Sequence, residues 1–374
     1  MAKRRAGPWD QNWERVGPLP PGGHGSPSVV KRRGGNDEKY VLKILNRQGV
    51  PERRERMHNE VRALQRLQHD AIPKIVESNT DAYADLSVQL YFVKDYVDGP
   101  TLDERVASPE LEPLQPDEAV RFAIRLSEIL IYCHNEGFLH RDIKPNNILL
   151  RDGKTSNPVL IDFGLSFNED DSARPPLTPE GQPIGNGFLW LPELQADNST
   201  KRHKESDIAQ VCGVLFYVLT GKFPLMPEDH KRRKPHQREP AKKVLDALGS
   251  GALEMLFDRG FEYEPEKRFH SFEALKGYLH DVLDEFQQAR SSNQNASRVK
   301  LEAVTPSLRT TLSSLTGQES TRDGEAAKTT NSHEHFNFGA QQADALMFAS
   351  LLGAWNESAT GDREVLRRLI EGDD

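Results

Sequence analysis

Hydrophobic positions follow two different rhythms along this chain of 374 residues. In the first hundred, short runs rich in Val, Tyr, Phe and Ile at 28–33, 39–45 and 88–93 read as strands. Gly34-Gly35-Asn36-Asp37 punctuates the first two as a hairpin turn. Between the runs, Met57, Val61, Leu64 and Leu67 recur at helical spacing and predict a helix near 53–68. From 116 to 290 the helical period dominates. Val120, Ile124, Leu126, Ile129, Leu130 and Cys133 mark one helix. Residues 208–219 are apolar nearly all round, as a buried central helix is. Two further amphipathic patterns cover 245–257 and 272–286.

The pattern then dissolves. Residues 291–338 carry 15 Ser or Thr and few aromatics, which predicts a disordered linker. It resumes at 339–370, where Phe348, Leu351, Leu352 and Trp355 share one face and Val365, Leu366, Leu369 and Ile370 another. Two short helices cannot bury that much apolar surface alone, so this segment is expected to dock, either on the rest of the chain or on a protein partner.

Composition removes several classes. The net charge is -8, and 8 basic against 12 acidic residues in 291–374 leave both parts acidic. No basic field argues for nucleic acid or an anionic membrane as partner. The longest purely apolar run, at 214–219, is far short of the ~20 residues of a membrane span. The basic start MAKRRAGPWD has no apolar stretch behind it, unlike a secretory signal. Two cysteines, Cys133 and Cys212, exclude a disulfide framework. A cytoplasmic location is the expectation.

The chemistry concentrates in His140-Arg141-Asp142-Ile143-Lys144-Pro145-Asn146-Asn147 and in Asp162-Phe163-Gly164, the latter behind the apolar run Val159-Leu160-Ile161. These residues put two carboxylates and a carboxamide on loops beside short strands. Such hard oxygen ligands suit Mg²⁺ and a phosphate substrate. Asp142 could accept a proton from a hydroxyl nucleophile, and Lys144 could neutralise charge on a transferring phosphoryl group.

With these two motifs, residues 13–285 resemble the eukaryotic-type (Hanks-type) serine/threonine protein kinase family. The resemblance implies an α+β, bilobal fold. Its parts would be a small β-rich N-lobe at 13–97, a larger helical C-lobe at 98–290, the linker at 291–338 and a C-terminal helical interaction segment at 339–374. It implies transfer of the γ-phosphoryl of ATP, with Mg²⁺, to protein Ser/Thr hydroxyls, and self-phosphorylation at Ser166, Ser172 or Thr178. Asp142 and Lys144 become the catalytic pair, Asn147 and Asp162 the metal ligands. Lys43 in Tyr40-Val41-Leu42-Lys43 resembles the phosphate-binding lysine, paired with Glu60. The backbone at Asp95 and Val97 would hold adenine between Val29, Val41 and Leu149.

Some positions depart from the family pattern. The phosphate loop reads Pro20-Pro21-Gly22-Gly23-His24-Gly25-Ser26-Pro27-Ser28-Val29. Gly22 alone fits if Val29 fills the valine position. Gly22 and Gly25 fit if Val29 falls two residues late. Glycines 22, 23 and 25 are the candidates for backbone contact with phosphate. Lys94 stands at the back of the adenine site, where apolar residues or Thr are usual. A buried ammonium there needs a partner, and Glu60 or Asp162 is the expected one. Other readings of the same motifs are a small-molecule phosphotransferase and a non-catalytic scaffold.

Overall fold

The computed structural model describes residues 7–20, 25–164, 167–168, 188–195, 203–225 and 233–292. Glycines 22 and 23, Ser166, Ser172 and Thr178, the segment expected at 339–374 and all but the first two residues of the linker expected at 291–338 lie outside them; residues 291 and 292 are helical. Contacts divide the chain into the units Met1–Phe286 and Gln287–Asp374.

The first unit opens with a 3₁₀ turn at Pro8–Gln11 and then the strands β1 (Trp13–Pro18), β2 (Gly25–Arg32) and β3 (Lys39–Leu45). Gly34, at φ 68, makes the β2–β3 turn that only a residue tolerant of the left-handed region adopts without strain. Helix α1 (Pro51–Arg66) follows, then β4 (Ile75–Ser78) and β5 (Tyr91–Asp95). The five strands form one antiparallel sheet in the order β1-β2-β3-β5-β4. The strand expected at 88–93 begins three residues later: the Leu90 carbonyl still accepts the Leu45 N–H of β3 at 3.1 Å, but the Leu90 N–H goes to the Gln48 side-chain oxygen at 2.9 Å instead of to a strand.

Alternation splits this sheet into two working faces. Val30, Leu42, Ile44, Tyr91 and Val93 pack with Trp9 and Trp13 on one. The opposite face carries Val29, Val41, Lys43, Phe92 and Lys94, which are cross-strand neighbours in the ladders Val29↔Val41, Val41↔Lys94 and Lys43↔Phe92. The apolar stripe of α1 covers part of this second face, with Met57 and Val61 packed on Leu45, Leu90 and Phe92.

Beyond the sheet come α2 (Leu102–Ala107), α3 (Pro116–Asn135), the two-residue strand β6 (Phe138–Leu139), β7 (Ile148–Leu150) and β8 (Pro158–Leu160). β7 and β8 pair antiparallel, and β6 pairs with β9 (Phe167–Asn168). Then follow α4 (Pro192–Gln195), α5 (Glu205–Thr220), α6 (Ala241–Leu248), α7 (Gly251–Gly260) and α8, residues 272–292. Helix α5 is buried from Ser206 to Val218, as its all-round apolar surface requires. It packs with α3, α7 and the Phe269–Phe286 segment in the largest core among the described residues. The single helix expected across 245–257 is two. Gly249, at φ 65, stops α6, and the Ser250 hydroxyl, accepting the Leu253 N–H at 3.0 Å, starts α7.

Candidate active site

Lys43 and Glu60 meet on the cleft face of the sheet. Strand alternation turns Lys43 to that face, and α1 carries Glu60 over it. The ammonium reaches both carboxylate oxygens, at 2.9 and 2.7 Å, with Glu60 only 2% exposed. Asp162 lies 3.6 Å from the same ammonium. Burial opposes the charge on Lys43, but Asp162 and Glu60 outweigh it, so the ammonium is held protonated well above the usual lysine range. The reverse holds at Asp162. Burial pushes its carboxyl up, while Lys43 and then Lys94 pull it down further, below the usual carboxylate range. Asp162 takes φ 65, a left-handed backbone rare for a residue with a side chain. Its Oδ1 accepts the Gly164 N–H at 3.3 Å.

The second cluster is built on the loop between β6 and β7. Asp142 Oδ2 receives Lys144 Nζ at 2.9 Å and Asn147 Nδ2 at 2.9 Å. Asn147 also donates to the Asp142 carbonyl at 2.8 Å. This loop is held from beneath by α5. Asp207 accepts the backbone N–H of His140 at 2.9 Å and of Arg141 at 2.7 Å, and contacts His134 Nε2 at 2.8 Å. Gln210 accepts the Ile143 N–H at 2.8 Å and donates to the Arg141 carbonyl at 3.1 Å. These bonds fix a strained backbone, since Arg141 stands at φ 62. Burial lifts the Asp207 carboxyl, but the His134 bond and charge lower it more, so it stays ionised.

Around the expected purine site, Val29 and Val41 are half-buried cross-strand neighbours, and Leu149 is half-buried on β7. Val97 makes no backbone-to-backbone bond among the described residues. The Asp95 N–H is already given to the Lys74 carbonyl at 3.0 Å, and the Asp95 carboxylate takes the Lys74 N–H at 3.1 Å. Gly25 opens β2 opposite Leu45.

Lys94 departs from expectation. Glu60 is fully engaged by Lys43, and no ion pair of Lys94 forms among the described residues. Its ammonium lies 5.9 Å from the centroid of the Phe92 ring, which Lys43 approaches at 5.6 Å. Burial depresses the Lys94 pKa, against the attraction of Glu60.

Sequence reasoning overlooked three supporting residues. His134 and Gln210 look like ordinary positions of helical runs. Only the fold brings them under a loop; Gln210 is 67 residues from the Ile143 amide it supports. Arg54 is hidden in the charged run Glu52-Arg53-Arg54-Glu55-Arg56, yet it is completely buried.

A strand-built lobe with a lysine–glutamate pair, beside a helical lobe that presents an aspartate, a lysine and an asparagine on one loop, defines the bilobal phosphotransferase class. The protein kinase domain profile matches residues 20–300, and the chain belongs to the protein kinase family. Among curated relatives, it is 32% identical over 193 residues to the serine/threonine-protein kinase PknA of Nostoc sp., covering 50% of this chain and 32% of that protein. It is 29% identical over 277 residues to the serine/threonine-protein kinase pkn3 of Myxococcus xanthus, covering 70% of this chain and 49% of that protein. The matched stretches span less than half the length of these relatives. Among solved structures, the PknI kinase domain of Mycobacterium tuberculosis aligns with a TM-score of 0.52 at 20% identity, covering 72% of this chain and 96% of that one. Its likeness is one of fold. The family resemblance and the bilobal architecture read from the sequence therefore hold. No helix among the described residues is long and apolar enough to cross a membrane.

Proposed function

We propose that the protein transfers the γ-phosphoryl group of ATP to serine or threonine hydroxyls of protein substrates, itself included. The observation that carries this reading is the pairing of Lys43 with both oxygens of Glu60, at 2.9 and 2.7 Å, beside an ionised Asp162. A permanently charged ammonium at the floor of the cleft serves to hold nucleotide phosphates, and its pairing sets where they lie. Asp142 accepts the proton of the attacking hydroxyl. Lys144 stands 2.9 Å from Asp142 Oδ2, close enough to share charge between that carboxylate and a transferring phosphoryl group. Val97 offers backbone groups to adenine, with Val29, Val41 and Leu149 as its apolar walls.

The donor set suits Mg²⁺. Asp162 supplies an ionised carboxylate, and Asn147, whose Nδ2 is spent on Asp142, has its carbonyl oxygen for a metal. Two protein ligands, completed by phosphate and water, are what a small hard cation favours. The metal would neutralise phosphate charge. A protein partner held by 339–370 and a cytoplasmic location complete the proposal.

The test is [γ-³²P]ATP with Mg²⁺ and a generic protein acceptor. Asp142→Asn is expected to lower transfer ~10²–10⁴-fold with nucleotide affinity nearly unchanged. Asp162→Asn is expected to remove Mg²⁺-dependent nucleotide binding instead. Equal nucleotide affinities in the two variants would overturn the division of roles.

A further inference from the structure

Besides the Lys43–Glu60 pair, helix α1 is anchored to its surroundings through Arg54. Its guanidinium is wholly buried, and three of its nitrogens reach six acceptors. Nε donates to the Tyr83 carbonyl at 2.6 Å. Nη1 donates to the Val88 carbonyl at 2.9 Å and to the carbonyl and side-chain oxygens of Gln48, each at 3.2 Å. Nη2 donates to the carbonyls of Ala82 at 3.0 Å and Asp85 at 2.6 Å. The acceptors belong to the two connections that flank α1, the β3–α1 turn and the β4–β5 loop. The His58 ring, one turn further along α1, stacks on Tyr83 of the same loop at 4.5 Å.

Gln48 carries the anchorage into the sheet. Its amide donates to the carbonyls of Leu45 and Leu90 at 3.0 and 3.1 Å, and its oxygen takes the Leu90 N–H at 2.9 Å. Leu45 ends β3, the strand of Lys43. Arg54 therefore ties α1 to the strand whose lysine Glu60 must reach. Six residues separate Arg54 from Glu60, about 9 Å along a helix axis. A helix held at two points that far apart cannot turn Glu60 away from Lys43 without also drawing a buried cation off its carbonyls, which leaves both sides unsatisfied.

We propose that Arg54 is a positioning residue for phosphoryl transfer. By clamping α1 to the β3–α1 turn and the β4–β5 loop, it keeps Glu60 on Lys43 before any substrate binds. This rests on the kinase reading for its consequence, but not for its geometry. A lysine at 54 keeps the charge and loses the planar fork that serves carbonyls on three sides.

Two measurements test it. The first needs no activity: competitive acylation of lysines with acetic anhydride in the full chain, read by mass spectrometry. Arg54→Lys is expected to raise the acylation rate of Lys43 at least ~10-fold, as does Glu60→Gln, with Lys276 on α8 unchanged. The second is a double-mutant cycle on phosphoryl transfer. Each single substitution is expected to lower kcat ~10²-fold, the cost of a misplaced reacting group. The double variant is expected to lose little more than Glu60→Gln alone, because both act through one pair. Unchanged Lys43 acylation in Arg54→Lys overturns the proposal, and so do losses that multiply in the double variant. A wild-type protein that transfers nothing while Lys43 acylation still responds to Arg54→Lys overturns the kinase reading and supports the clamp. If Arg54→Lys does not fold, Gln48→Ala decides on the same acylation readout. It removes one side-chain acceptor, and a rise of ~3-fold or more is expected; no rise overturns the clamp.

Discussion

Asp207 accepts the backbone N–H of Arg141 at 2.7 Å across 66 residues of sequence. With the His140 N–H at 2.9 Å on its other oxygen, it suspends the loop that presents Asp142 from a fully buried helix. The carboxylate touches no reacting atom, yet the left-handed backbone at Arg141 persists because of it.

Asp207→Asn is expected to cost about 3 kcal/mol, since an amide offers one acceptor oxygen where the carboxylate offers two and leaves a buried N–H unmet. The folded pKa of Asp207 lies below the ordinary carboxylate value. Its stabilisation is therefore complete above the unfolded pKa of ~3.9 and fades as pH falls through the folded one. Urea titrations at pH 7 and at pH 3.5 check this. The gap between wild type and variant is to shrink in acid. A constant gap would mean that the charge contributes nothing.

How much of this was legible follows from how local each signal is. The stripe Met57, Val61, Leu64, Leu67 announces α1 because a helix needs only its own period. The segments at 140–147 and 162–164 announce the site because chemistry crowds its residues into short loops. Arg54 was illegible for the opposite reason. Five charged residues stand together at 52–56, and the loop that buries only the third lies 28 to 34 residues downstream. The turn at Pro8–Gln11 is too short for any period, so nothing marked Trp9 as a core residue. The break at Gly249 was written in Gly249-Ser250-Gly251, but the apolar positions on either side masked it. Lys94 could be seen as anomalous from sequence. That Glu60 was already taken could not.

Lys94→Met is expected to stabilise the protein. A lysine whose folded pKa is depressed binds its proton more weakly when folded, so it costs stability at every pH below the folded value. The cost disappears above the unfolded pKa of ~10.4. Thermal unfolding should show a higher Tm for the variant at pH 7 and a smaller difference at pH 10. The Lys43–Glu60 pair stays intact in this variant. A lower Tm at pH 7 would show that the ammonium over Phe92 is net favourable.

Gly99 joins the two lobes just beyond the proposed purine site at φ 137, and an added Cβ would lie 1.9 Å from the Leu150 carbonyl oxygen. That oxygen belongs to backbone, in a segment where the Leu150 N–H bonds Pro100 at 2.9 Å and the Asp152 N–H bonds Asp98 at 3.0 Å. No side-chain rotation relieves the clash. Gly99→Ala is expected to cost more than about 2 kcal/mol. It should also weaken nucleotide binding, because Val97 is two residues away and Leu149 is the neighbour of Leu150. Calorimetric titration with nucleotide, alongside melting curves, separates the effects; unchanged affinity would place the purine elsewhere.

Arg268 and Glu193 form a buried bidentate pair, with Arg268 Nη2 at 3.1 Å from Glu193 Oε2 and both side chains nearly inaccessible. Arg268 also donates to the carbonyls of Glu262 at 2.7 Å and Tyr263 at 3.0 Å, and Ser206 donates to Glu193 at 2.7 Å. The pair thus ties α4 to the start of α5 and to the turn before α8. Removing one charge strands the other in the core, which typically costs about 3–5 kcal/mol. Removing both strands neither. Arg268→Met and Glu193→Gln are each expected to fall in that range, and the double variant to be destabilised by clearly less than their sum. Chemical denaturation of the four proteins gives the coupling energy directly. Additive losses would mean that the bonds to Glu262, Tyr263 and Ser206, rather than the ion pair, hold this corner of the fold.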